Sequence, residues 1–177
     1  MVTVDDVKSL RETTGAGVME CKKALAECQG DATQAVKWLQ EKGMSKAAKR
    51  SSREASEGLV EAYIHNAGRL GVLVEINCET DFVARNEQFK EFAHSIAMHI
   101  AAAGPAYITE DEIPVDLLDG LDDAEKNAFL KEKVLFNQGY IRDESTPVGQ
   151  VVTDLIAKTG ENIVIRRFAR FGLGQER

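Results

Sequence analysis

The chain has 177 residues, 44% of them hydrophobic, a formal net charge of -7 and three cysteines. That length suits one medium domain, or one domain with a small appendage, and leaves enough apolar residues for a core. The acidic balance argues against broad nucleic-acid binding, which needs a dominant basic surface to neutralise phosphates, and suits a protein that meets its partners locally. No segment approaches the ~20 apolar residues that span a bilayer. The opening MVTVDDVKSL has neither the basic end nor the apolar run of a signal peptide. The expectation is a chain that stays in a reducing cytoplasm.

In chain order, Val4, Val7 and Leu10 fall at helical spacing behind Thr3, with Asp6 three residues on, which is a capping-box start. TGAG at 14–17 breaks that helix. A second helix runs from Met19 to Cys28, where QGD stops it. Asp31 with Gln34 caps a third, carrying Ala35, Val36 and Leu39 and expected to end at Gly43. Three short helices make a miniature bundle over residues 1–43, marginal on its own because so small a unit buries little surface. Cys21 and Cys28, on one helix, would stand ~10.5 Å apart, beyond the ~7 Å reach of a disulfide. With Cys78 they read as small buried hydrophobes.

Residues 44–57 form a basic, helical linker and domain boundary. Lys42, Lys46, Lys49, Arg50 and Arg53 pass without an acid until Glu54. The stretch is either a solvated charged face or a docking stripe. From Gly58 the period changes to two. Val60, Ala62 and Ile64 alternate with Glu61, Tyr63 and His65, and after NAGRLG Leu70, Val72, Val74, Ile76 and Cys78 alternate with Gly71, Leu73, Glu75 and Asn77, giving a hairpin with one buried face. Phe89, Phe92, Ala93, Ile96, Ala97 and Ile100 form the apolar stripe of a helix that packs on that sheet.

Residues 107–125 hold eight acids and no base, within an acidic, partly irregular crossover placed at 105–125. A helix follows at about 123–137. Thr146 then caps another helix, with Pro147 at its first position, and Gly160 ends it. NIVIRRFARFGL reads as a final strand, the third member of the sheet. The fold class is α+β: a helical head (1–43), the linker (44–57), and a core (58–177) with a three-stranded antiparallel sheet packed by helices.

No constellation for covalent chemistry emerges. His94 and His99 lie five apart, about 140° around a helix, so they do not share a metal face, and with His65 they read as half-buried or surface residues. Cys78 has no base nearby in sequence and reads as an inward core residue. TGAGVMEC lacks the GK[ST] of a phosphate loop. No metal ligand set, cofactor or catalytic residue is assigned. Phe82, inside NCETDFVARN at 77–86, remains open. Either Thr80 or Asp81 caps the next helix and the ring folds back as a core staple, or the ring is held outward as a plug for another protein's core.

Three long motifs, LRETTGAGVMECKKALAECQGDATQAVKWLQEKG (10–43), EGLVEAYIHNAGRLGVLVEINCETDFVARNEQF (57–89) and TGENIVIRRFARF (159–171), resemble the elongation factor Ts family. The likeness covers about residues 3–104 and 140–174. It implies a guanine-nucleotide exchange factor in bacterial-type translation that binds the GDP form of elongation factor Tu, dislodges its Mg2+, expels GDP and leaves when GTP enters, with no covalent chemistry of its own. It implies a ubiquitin-associated-like head, with Arg11, Val18 and Met19 docking on a G-domain helix. It makes Phe82 the wedge near the nucleotide phosphates, Asp81 its polar contact, and Thr80 and Val83 the frame of the turn. Family members often have Met and Asp where this chain has Val18 and Glu20, so the head contact differs in detail.

Longer members carry two cores and a coiled-coil insertion. This chain resembles the short form, for which a homodimer would supply the second copy. No membrane or direct nucleic-acid contact is implied. The alternatives are a ubiquitin-associated-like adaptor without exchange activity, a thiol enzyme using Cys78, and RNA binding through 42–53 with Arg166, Arg167 and Arg170.

Overall fold

A computed structural model describes residues 2–175, and the fold is α+β, with a run of N-terminal helices and an antiparallel three-stranded sheet. The chain divides into two compact units, one made of the residues up to Arg53 with Thr153–Asn162, the other of Glu54–Val152 with the residues from Ile163 onward.

In the first unit, α1 (Val4–Thr14) opens with the expected capping box. The Thr3 amide donates to Asp6 Oδ2 at 2.8 Å and the Asp6 amide to Thr3 Oγ1 at 3.2 Å. Gly15, at φ +67°, ends the helix in the left-handed region that glycine enters without a Cβ clash. Its amide closes on the Arg11 carbonyl at 2.7 Å. α2 (Val18–Glu27) follows, and Asp31 caps α3 (Ala32–Arg50) by accepting the Gln34 amide at 2.9 Å. Leu10, Cys21, Ala24, Leu25 and Ala35 form the core, with Val7, Val36 and Leu39 packed against it. Trp38, the only tryptophan, joins this rim and carries Lys42 Nζ 5.3 Å from its ring centroid.

Gly43 does not end the third helix: α3 runs Ala32–Arg50. Gly43 is buried, and a Cβ there would stand 3.8 Å from Thr153 Cγ2 and 3.9 Å from Ala157 Cβ. The glycine serves close helix approach, while Lys46, Ala47, Ala48 and Lys49 beyond it are good helix formers. Arg50 then donates to the Ile156 carbonyl at 3.4 Å, and Asn162 Nδ2 donates to the Arg53 carbonyl at 2.8 Å.

In the second unit, β1 (Glu57–His65) and β2 (Leu70–Cys78) pair antiparallel, and β5 (Val164–Gly172) pairs along the other side of β2, so β2 is the central strand. A short helix α4 (Asp81–Ala84) leads into α5 (Glu87–Ala103), which packs on β1 and β2 with Phe89, Phe92, Ala93, Ile96, Ala97 and Ile100 buried, as the stripe implied. Val72, Val74, Ile76 and Cys78 of β2 are buried too.

The apolar set of β1 is another matter. Val60 and Ile64 are 64% and 65% exposed, because the register pairs Val60 with Glu75 and Ile64 with Gly71, on the face of β2 opposite Val72 and Val74. The residues of β1 that share the α5 side are Leu59, Glu61 and Tyr63, and Glu61 meets His94 Nδ1 at 2.8 Å.

The acidic crossover forms two single 3-10 turns, Glu110–Glu112 and Val115–Leu117, pinned by buried Ile108 and Ile113. α6 (Asp123–Lys133) starts at a capping box between Asp122 and Glu125 and stops earlier than expected. Val134 turns extended to bridge Tyr107, and Leu135–Asn137 adds a 3-10 turn. Sequence periodicity gave no sign of the small hairpin of β3 (Gly139–Tyr140) and β4 (Asp143–Pro147). It places Pro147 at a strand end, and the helix α7 (Val148–Thr159) begins one residue later than expected. Gly160 ends it as anticipated, its amide donating to the Ile156 carbonyl at 3.0 Å.

His99 is buried rather than half-exposed. Its Nε2 lies 3.0 Å from Gln138 Oε1, and Gln138 Nε2 donates to the Glu132 carbonyl at 2.6 Å, so the ring ties α5 to the segment after α6. Burial holds its pKa below the usual 6.5, and the Gln138 hydrogen bond offsets this only in part. A ring that binds its proton more weakly when folded leaves stability intact above the unfolded pKa. Stability then falls as pH drops through that value, until the folded pKa is reached. The melting temperature should therefore fall as pH is lowered from about 7.5 to about 5. His99→Gln, which keeps an amide donor for Gln138 and removes the titration, should flatten part of that slope in calorimetry across the range.

Candidate functional site

The stretch after β2 is built from the strand's last residue outward. Thr80 is extended (φ -130°, ψ 153°), and its Oγ1 accepts the Val83 amide at 3.5 Å as the N-cap of α4. The Ala84 amide reaches the Thr80 carbonyl at 3.2 Å, and the Arg85 amide reaches the Asp81 carbonyl at 3.0 Å. The Asn86 amide closes on Val83 at 3.0 Å, while Asn86 itself caps α5 by accepting the Gln88 amide at 2.8 Å. One helical turn is thus anchored between the central strand and the main helix of the unit. Asp81 pairs with Arg85 at 3.0 Å across that turn, and Val83 is half-buried beneath it.

Phe82 is 84% exposed. The core-staple alternative is therefore excluded, while the capping alternative for Thr80 holds alongside an outward ring. Leaving a phenylalanine in water forgoes roughly 1.5–3 kcal/mol of burial, and nothing in the local backbone needs the ring there. The turn displays it.

The helical head carries a second exposed apolar pair. Val18 is 50% and Met19 74% exposed, in the first turn of α2, behind Gly17, which makes no side-chain cap. Arg11 is exposed in the last turn of α1, across the loop of residues 15–17. Glu20, which follows Met19, is ion-paired with Lys46. These residues lie in the first unit and the Phe82 turn in the second.

The open face of the sheet was missed by sequence reasoning. Val60, Ile64, Leu73 and Phe171 are all substantially exposed, and a cleft of about 560 Å3 lies at the hairpin end of this face, lined in part by Ile64, Leu73, Phe171 and Leu173. Glu75 and Arg167 sit on the same face with Oε2 and Nε 2.7 Å apart, and the hydrogen bond from Arg167 holds the Glu75 carboxyl below its usual pKa. The signal was present in the sequence: both phases of the hairpin are apolar, Val60 and Ile64 on one strand against Leu73 on the other.

Among the described residues, no group of three or more His, Cys, Asp or Glu could hold a metal ion, and no helix is long and apolar enough to cross a membrane. Tyr63 contacts His65 Nδ1 at 3.1 Å, and His94 is engaged by Glu61. Cys78 is fully buried, as is Cys21, while Cys28 is only partly so.

A family model described as elongation factor TS matches residues 4–128. Relatives similar over nearly the whole chain carry the name elongation factor Ts. The one from Desulfosudis oleivorans is 47% identical over 190 residues, covering 96% of each chain. That from Caldanaerobacter subterraneus subsp. tengcongensis is 47% identical over 196 residues, covering 99% of this chain and 98% of its own. That from Rippkaea orientalis is 48% identical over 196 residues, covering 98% of this chain and 79% of its own.

Because the Phe82 ring stands largely in water, its removal should leave the fold intact. In urea unfolding, Phe82→Ala should shift stability by no more than about 0.5 kcal/mol. Phe89→Ala, at a fully buried ring a few residues on, should lose about 3–5 kcal/mol.

Proposed function

The chain belongs to the elongation factor Ts family, and from that premise we propose that it is a guanine-nucleotide exchange factor for elongation factor Tu. In this reading it binds the GDP form, displaces Mg2+ from the partner's nucleotide site and holds the emptied state until GTP enters. It makes and breaks no covalent bond, uses no cofactor and works in the cytoplasm. The observation that carries the reading is the exposed Phe82 on a turn capped at both ends.

The energetics divide the labour. Burying one phenylalanine in a partner gives roughly 1.5–3 kcal/mol, whereas a thousandfold loss of nucleotide affinity requires about 4 kcal/mol of coupling. Phe82 therefore needs help from the head, where Arg11, Val18 and Met19 dock on the partner and hold the distorted state in register with the wedge. Asp81 faces the magnesium and phosphate region beside the ring, while Thr80 and Val83 frame the turn. Loss of the ion adds further, because Mg2+ offsets phosphate charge. Coupling is reciprocal, so GDP weakens the factor's grip as much as the factor weakens GDP's. That mutual eviction lets the factor turn over.

In functional terms residues 1–43 serve as a docking head of the ubiquitin-associated type, the basic stretch 44–57 that continues its last helix joins it to the rest, and the residues from 58 onward outside Thr153–Asn162 form the wedge-bearing and dimerising core. The open sheet face, with Val60, Ile64, Leu73 and Phe171 in water, supports a homodimer in which a second copy covers it. Stopped-flow release of a fluorescent GDP from elongation factor Tu tests the exchange reading. Wild type should accelerate release strongly, and Phe82→Ala should lose roughly ten- to a hundredfold of that effect. No acceleration by wild type would leave an adaptor without exchange activity. For the dimer, analytical ultracentrifugation should show two copies for wild type and a shift to monomer for Ile64→Asp with Phe171→Asp. A monomeric wild type at micromolar concentration would refute it.

A further inference from the structure

Cys78 closes β2 with a fully buried side chain, and its thiol donates to the Thr80 carbonyl oxygen at 3.2 Å. The same carbonyl accepts the Ala84 amide at 3.2 Å, the bond that closes α4. Two donors on one carbonyl fix the plane of the peptide between Thr80 and Asp81, and the next residue along is Phe82. Burial alone asks only for a small apolar side chain at this position, so what the thiol adds is a donor, weak but aimed.

The head repeats the arrangement. Cys21 is also fully buried, and its Sγ donates at 3.7 Å to the carbonyl of Ala16, in the loop that leads into the exposed Val18 and Met19. In both places a buried thiol holds a carbonyl in the loop that displays exposed apolar side chains.

We propose that Cys78 is a positioning residue for the Phe82 wedge, holding the turn through the Thr80 carbonyl; this rests on the exchange reading above. Packing and positioning make opposite demands on a replacement of similar size. Cys78→Ser keeps a donor but buries a hydroxyl, whereas Cys78→Val packs better and has no donor. The experiment measures thermal stability and stimulated GDP release from elongation factor Tu for both full-length variants, each also in the Phe82→Ala background. Val should melt at or above Ser, yet stimulate release roughly three- to tenfold less well. In the Phe82→Ala background, the two should release GDP at the same rate. Activity that follows the melting order, or a gap between Ser and Val that survives in the Phe82→Ala background, overturns the proposal while leaving exchange intact. A wild type that fails to speed release removes the exchange reading, and the proposal with it.

Discussion

The central position of β2 is the constraint on which the second unit depends. The strand is hydrogen-bonded to β1 on one side and to β5 on the other, and α5 covers the face that carries Val72, Val74 and Ile76. A strand held on three sides cannot slip by one residue without turning its buried set to solvent. Its last residue, Cys78, is therefore a fixed point, and the chain has two residues before α4 begins. At the other end of α4, Asn86 starts a helix whose whole inner face is locked on the same sheet. The short turn inherits its rigidity from both neighbours and from little within itself. A four-residue helix has almost no stability of its own.

This explains why so exposed a ring suits the task proposed for it. A wedge on a mobile loop would yield when pressed against a partner, and part of the binding energy would go into ordering the loop. Here the ordering accompanies folding. The same logic applies to the head, where Val18 and Met19 begin a helix whose next turns, through Cys21, Ala24 and Leu25, are buried in the core.

Local chemistry made much of this legible in the sequence. Thr3 with Asp6, Asp31 with Gln34, and the glycines at 15 and 160 act where residue type and spacing said they would, because caps depend on neighbours within a few residues. The α5 stripe was equally clear, since one long helix face repeats the same signal several times. Errors came where the outcome depends on distant residues. Gly43 looked like a stop, but it is packed by Thr153 and Ala157, more than a hundred residues away. The apolar residues of β1 looked like core, but pairing register puts Val60 and Ile64 on the open side and Glu61 and Tyr63 beneath α5. His99 is buried where it meets Gln138, 39 residues on, and the β3–β4 hairpin was too short to show a period. For Phe82, the sequence alone left two answers standing, because an apolar residue beside a cap serves either a staple or a display.

The exposure of Phe82 also bears on how this position changes over generations. Thr80 and Asn86 each cap a helix, so replacement there is judged first by whether the chain folds. At residue 82 the fold has little stake in the side chain, because the ring stands largely in water. In the proposed reading, selection on that one position acts chiefly through what the ring touches outside the molecule, so its history across lineages would record the partner's surface rather than this protein's own core.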